Sequence, residues 1–253
     1  MEGIKIGKYI YCIIKCDKDE VFEIEGVGGS NKLYSICFDD ISAVVSDSPI
    51  IKYSASRENF LNHEKPIEYV MKKHSNLLPV RFATIAEDEA KVKKILEKEY
   101  DKFKDLLNKI EGKKELGLKA IFEEIIYSDI LKKYDDIRAI KERIANLPVE
   151  KTYYQRIEIG RIVESALEKE KEICKNEILN ILSSLAVEVK TNNTYGERMI
   201  LNSAFLVERA KEAEFDKRLE ELTDKYKDKI KFKYIGTIPP FNFVNLVIET
   251  GEY

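Results

Sequence analysis

Tryptophan is missing from this chain of 253 residues, histidine occurs twice, cysteine four times and proline six times. No apolar run approaches the roughly 20 residues that span a bilayer, and the opening Met1-Glu2-Gly3-Ile4-Lys5 lacks the basic-then-apolar order of a signal peptide. A cytoplasmic protein without membrane contact is the expectation. Neither sign of charge dominates: 43 basic and 46 acidic side chains leave a net charge of −3, which implies no basic face for nucleic acid. The lysines between Lys229 and Lys233 alternate with apolar residues, the pattern of a strand with one solvated face. Against these absences stands a 44% share of hydrophobic residues, enough to fill the core of two ordinary domains or one large one.

The scarcity extends to chemistry. Cys12 and Cys16 fall on one face of a predicted strand, four residues and so roughly 13 Å apart, too far to share a metal; with Cys37 and Cys174 they read as free thiols packed as small hydrophobes. His63 and His74, eleven positions apart on one predicted helix, are separated by about 16 Å and cannot chelate one ion together. His63-Glu64 is not followed by a second histidine at helical spacing, so each histidine reads as a helix-surface residue. Gly26-Val27-Gly28-Gly29-Ser30 has neither the Gly-Lys-Ser/Thr ending of a P-loop nor a helix waiting behind it, and reads as a mobile loop. Acidic pairs such as Asp39-Asp40, Glu123-Glu124 and Asp135-Asp136 are ordinary in a chain that is 35% charged. No catalytic residue, cofactor or metal ligand is assigned, and an enzyme is not expected.

Periodicity defines the elements. Ile4, Ile6, Ile10, Cys12 and Ile14 alternate as in a half-buried strand; Leu33 to Phe38 and Ile41 to Val45 form a hairpin about Asp39-Asp40. Ser54 or Ser56 caps a helix bearing Phe60, Ile67 and Met71, with a kink or restart at Pro66. Val80 to Ile85 reads as a short strand. One helix carries the stripe Val92 to Ile110, a strand covers Leu116 to Phe122, another helix runs from Ile126 to Ile144, and a long one spans Tyr153 to Leu182. Strands at Ala186 to Lys190 and Met199 to Val207, a helix through Phe215 and Leu222, and a closing strand pair, Ile230 to Ile235 and Phe243 to Ile248, complete the chain. The class is α+β in two domains: residues 1–112, and residues 113–253 as an augmented ferredoxin-like unit with long helices on one face of an antiparallel sheet.

Two segments stand out. In Gly236-Thr237-Ile238-Pro239-Pro240-Phe241-Asn242-Phe243-Val244, consecutive prolines fix φ and remove two backbone donors, giving a rigid turn; Phe241 and Phe243, with Tyr234 near in sequence, are either core or an exposed aromatic surface. In Leu78-Pro79-Val80-Arg81-Phe82-Ala83-Thr84, Arg81 must face solvent, find a carboxylate or anchor a protein contact. These segments, with Tyr9-Ile10-Tyr11, His63-Glu64 and Asn202-Ser203-Ala204-Phe205-Leu206-Val207, follow one another in an order that resembles the gas vesicle protein GvpF/GvpL family. The chain departs from the family pattern at Ala83, where glycine is common, and at Thr237-Ile238, where Pro-Trp is common.

The resemblance implies an accessory or minor structural component of gas vesicles, the hollow protein shells that make cells buoyant. It would contact the small hydrophobic shell protein and other accessory proteins during assembly, with Arg81, Pro239, Pro240, Phe241 and Phe243 as candidate interaction residues. A ferredoxin-like unit also suits a small-molecule-binding regulator, the alternative reading.

Overall fold

The computed structural model describes residues 4–28, 32–148 and 151–248. It divides into two compact units, one made of the described parts of Met1–Glu115 and Thr237–Tyr253, the other Leu116–Gly236. Among the described residues no helix is long and apolar enough to cross a membrane.

In the first unit β1 (Ile6–Lys15) is the centre of a sheet ordered β2-β3-β4-β1-β5. Its partners are β2 (Val21–Phe22), β3 (Leu33–Phe38), β4 (Ile41–Pro49) and β5 (Leu77–Pro79), with β6 (Ile85–Ala86) also paired to β1. The β3–β4 hairpin turns through Asp39 at φ 53°, a left-handed position that aspartate tolerates better than most residues. Among the described residues three helices complete the unit: α1 (Arg57–Lys73), α2 (Glu89–Lys98) and α3 (Tyr100–Ile110).

Instead of being half-buried, β1 is covered on both faces. Ile10 and Ile13 join a core with Val92, Ile95 and Leu96 of α2 and Phe103 and Leu107 of α3. Tyr9, Tyr11, Cys12 and Ile14 join a second core with Ile67 and Val70 of α1. The register of β1 against β4 shifts between Ile10 and Cys12, and this bulge puts Tyr11 and Cys12 on the same side although they are adjacent in sequence.

Ser56 caps α1, its hydroxyl accepting from the Asn59 N–H at 3.2 Å, and the helix runs through Pro66 without a restart. The stripe Val92 to Ile110 is divided between α2 and α3 at Glu99, whose φ of −100° and ψ of 11° leave the helical well. Residues 80–84 form a turn, with Ala83 at φ 63°, in place of the strand expected over Val80 to Ile85.

The second unit follows the order β, helices, β, β, helix, β. Its elements are β7 (Lys113–Phe122), α4 (Ile125–Lys133), α5 (Asp135–Ile144), α6 (Tyr153–Ser183), β8 (Ala186–Thr191), β9 (Met199–Glu208), α7 (Glu212–Lys225) and β10 (Ile230–Ile238). The strands stand in the order β10-β7-β9-β8, with β8 and β9 antiparallel. The helix expected from Ile126 to Ile144 breaks at Tyr134 into α4 and α5. Leu116 and Leu118 of β7, Ile178 and Leu182 of α6, Phe205 and Val207 of β9 and Phe215 of α7 share one core.

The closing strand pair is corrected: β10 is present, but Phe243 to Ile248 is not a strand. After the prolines the chain makes a tight coil, the N–H groups of Phe243 and Val244 both donating to the Pro240 carbonyl at 3.1 and 2.9 Å. Backbone groups turned inward in this way cannot also form a sheet ladder. The sequence boundaries of 1–112 and 113–253 assign this tail to the second domain; Val244, Leu246 and Ile248 instead pack with Ile10, Leu78 and Val80 in the first unit.

Candidate protein-interaction surface

A buried polar network holds the Pro79–Thr84 turn in place. His63, only 2% exposed, sets Nε2 at 3.0 Å from the Val80 carbonyl. A carbonyl can only accept, so Nε2 carries the proton and Nδ1 accepts from the Tyr9 hydroxyl at 3.1 Å. That hydroxyl in turn accepts the Ala83 N–H at 2.8 Å. Burial lowers the pKa of His63 to about 4 and pushes the Tyr9 phenol up, so both are neutral and engaged in structure near neutral pH. His63 is therefore a buried strut, not the helix-surface residue expected. Next to it the Tyr11 hydroxyl bonds Ser46 Oγ at 3.0 Å and accepts the Val27 N–H at 2.6 Å. Gly26 makes that approach possible, because a Cβ there would fall 2.4 Å from the Tyr11 oxygen. Gly29, Ser30 and Asn31 of the same glycine loop lie outside the described residues.

On this frame the turn presents Arg81 to solvent and lays Phe82 against Phe60 of α1, ring centroids 4.7 Å apart. Phe60 is 41% exposed and Leu61 beside it is exposed as well, so α1 offers apolar side chains to solvent next to half-buried Phe82.

The C-terminal turn is held separately. Glu115, fully buried, accepts from the N–H and the side-chain amide of Asn242. Pro239, Pro240 and Phe243 are buried and Phe241 is 38% exposed. Of the five candidate residues, Arg81 and Phe241 lie at the surface, and the other three support the turn from inside. Tyr234 belongs to the second unit, where its hydroxyl donates to Asp216 at 2.6 Å.

Sequence reasoning singled out neither Glu115 nor the pairing of Phe60 with Phe82. A lone carboxylate in the strand Lys113 to Phe122 was a visible signal for the first. For the second there was none, since the partners meet only through the turn. Asn202 to Val207 falls within β9, where Ser203 to Val207 are buried in the second unit.

These features describe a protein of the α+β class with two stiffened turns. The sequence profile of the family described as gas vesicle synthesis protein GvpL/GvpF matches residues 7–245, and the chain belongs to that family. It is 27% identical to gas vesicle protein F of Dolichospermum flosaquae, over 96% of this chain and 99% of the relative. It is 22% identical to gas vesicle protein L1 of Halobacterium salinarum, over 94% and 90%. The crystal structure of GvpF from Anabaena sp. PCC7120 superposes with a TM-score of 0.79 at 26% identity, covering 96% of this chain and 99% of that one.

Proposed function

We propose that this protein is a gas vesicle accessory or minor structural component that binds the hydrophobic shell protein, and other accessory proteins, during vesicle assembly in the cytoplasm. A subunit destined to face gas must expose apolar surface, and before assembly that surface favours aggregation. A partner with a fixed apolar face shields it at little entropic cost. The observation that carries this reading is exposed Phe60 of α1 packed on half-buried Phe82, with exposed Arg81 next to Phe82 on a turn braced by the buried Tyr9–His63–Val80 network. Phe241, at the surface of a turn fixed by two prolines and Glu115, supplies a second rigid apolar contact.

Catalysis has no part in the proposal: Tyr9 and His63 have their hydrogen-bonding groups committed to one another and to the backbone. The test is capture of the purified chain by immobilised shell protein. Phe60→Ala, Phe82→Ala, Phe241→Ala and Arg81→Ala should each fold and be captured less; undiminished capture of all four removes the assignment.

A further inference from the structure

Cys16 and Glu20 are four positions apart, and His74, 54 positions beyond Glu20, meets them in the first unit. Cys16 follows β1, Glu20 lies just before β2, and His74 is the C-cap of α1. One ligand atom from each, a thiol sulfur, a carboxylate oxygen and an imidazole nitrogen, lies within 4.8 Å of the other two. His74 Nε2 is 2.7 Å from Glu20 Oε2, while Lys73 Nζ takes the other oxygen, Oε1, at 3.0 Å.

The segment that carries Cys16 and Glu20 is braced from the sheet. Ser42 Oγ donates to the Cys16 carbonyl at 2.6 Å, and Ser35 Oγ donates to the Lys18 carbonyl at 3.1 Å while accepting the Glu20 N–H at 2.7 Å. Phe22 sets its ring edge-on to His74, centroids 6.1 Å apart.

Sulfur, imidazole nitrogen and one carboxylate are the donors that borderline divalent ions take, whereas magnesium and calcium require oxygen. With bonds of about 2.0–2.3 Å, neighbouring ligands around a tetrahedral ion stand roughly 3.3–3.7 Å apart. The Nε2–Oε2 pair must therefore open by about 0.6 Å, a side-chain adjustment. Each ligand is part-exposed, which gives the ion a route in and leaves a fourth position for water or a partner's side chain. We propose that Cys16, Glu20 and His74 form a site for a divalent ion of the zinc class, tying the end of β1 to the end of α1. Coordination expels the thiol proton to solvent and moves the Nε2 proton to Nδ1 of the neutral ring, freeing the Nε2 lone pair; Lys73 stays on Oε1, leaving Oε2 for the ion.

Cobalt(II) added to the reduced full-length chain should bind one per chain and produce the near-ultraviolet charge-transfer band of a cobalt–thiolate bond. Cys16→Ser should abolish the band, His74→Ala should weaken binding by about tenfold or more, and Cys37→Ser should leave both unchanged. In the unmutated chain, zinc should slow alkylation of Cys16 at least about tenfold, read by mass spectrometry, with Cys37 unprotected. No band in the unmutated chain, a band that survives Cys16→Ser, or alkylation of Cys16 indifferent to zinc would each overturn the site.

Discussion

Glu115 and Asn242 are joined across 127 positions: the buried carboxylate accepts the Asn242 backbone N–H at 3.1 Å and its side-chain Nδ2 at 2.5 Å. Both donors point to one acceptor, so a single side chain fixes the coil that follows Pro239-Pro240. Removing it takes away two charge-assisted hydrogen bonds, a loss of roughly 2–3 kcal/mol. Glu115→Ala should lower the urea midpoint accordingly and raise amide exchange at Asn242 and Val244. Exchange at those amides that matches the unmutated protein would show that the turn holds without the carboxylate.

Ala83 predicts an effect of opposite sign. Its φ of 63° is left-handed, where a Cβ costs about 1–2 kcal/mol and glycine pays nothing. The entropy that glycine loses on folding, roughly 0.5–1 kcal/mol, offsets part of the gain. Ala83→Gly should therefore stabilise by several tenths of a kcal/mol to about 1 kcal/mol, seen as a higher midpoint with unchanged m-value. A lower midpoint would mean that the Tyr9 bond to the Ala83 N–H already absorbs the strain.

His63 gives the pH dependence. Burial lowers its pKa from the unfolded value of 6.5 to about 4, so between these values the unfolded chain binds more protons than the folded one. The contribution is complete above pH 6.5 and is lost as pH falls toward 4, with a ceiling of about 3 kcal/mol. Chemical denaturation at pH 7.5 and at pH 5 should show the loss in the unmutated chain and much less of it in His63→Gln. Equal losses in both proteins would assign the effect to other groups.

Much of this architecture is written in the sequence, and the parts that are not have specific causes. The hairpin at Asp39-Asp40, the cap at Ser56 and the long α6 depend on local chemistry, and they stand where residue type puts them. Alternation in β1 suggested one solvated face because the bulge at Tyr11 interrupts the period, and because tyrosines with satisfied hydroxyls can be as buried as isoleucine. Val244, Leu246 and Ile248 alternate as in a strand, yet the alternation serves a tail laid over the first unit's core.

The candidate site was legible in part. Arg81 and Phe241 were identifiable as residues set on constrained turns. Which of Phe241 and Phe243 faces outward depends on the coil after Pro240, and that coil depends on Glu115. The meeting of Cys16, Glu20 and His74 escaped a search for paired histidines and paired cysteines, since Glu20 and His74 are 54 positions apart.

The two C-terminal phenylalanines separate structure from recognition. Phe243 is 3% exposed, and Phe243→Ala should cost about 3–5 kcal/mol. Phe241, at 38% exposed, should lose less than about 1 kcal/mol on truncation, as surface changes do.

If side chains of the first unit engage the shell protein as proposed, stability and shell-protein affinity measured together on Phe60→Ala/Phe82→Ala and on Phe241→Ala separate recognition from folding. Unfolding midpoints should stay close to the unmutated chain while affinity falls about tenfold or more, one or two hot-spot side chains' worth. Unchanged affinity in both variants, with the fold intact, would contradict it.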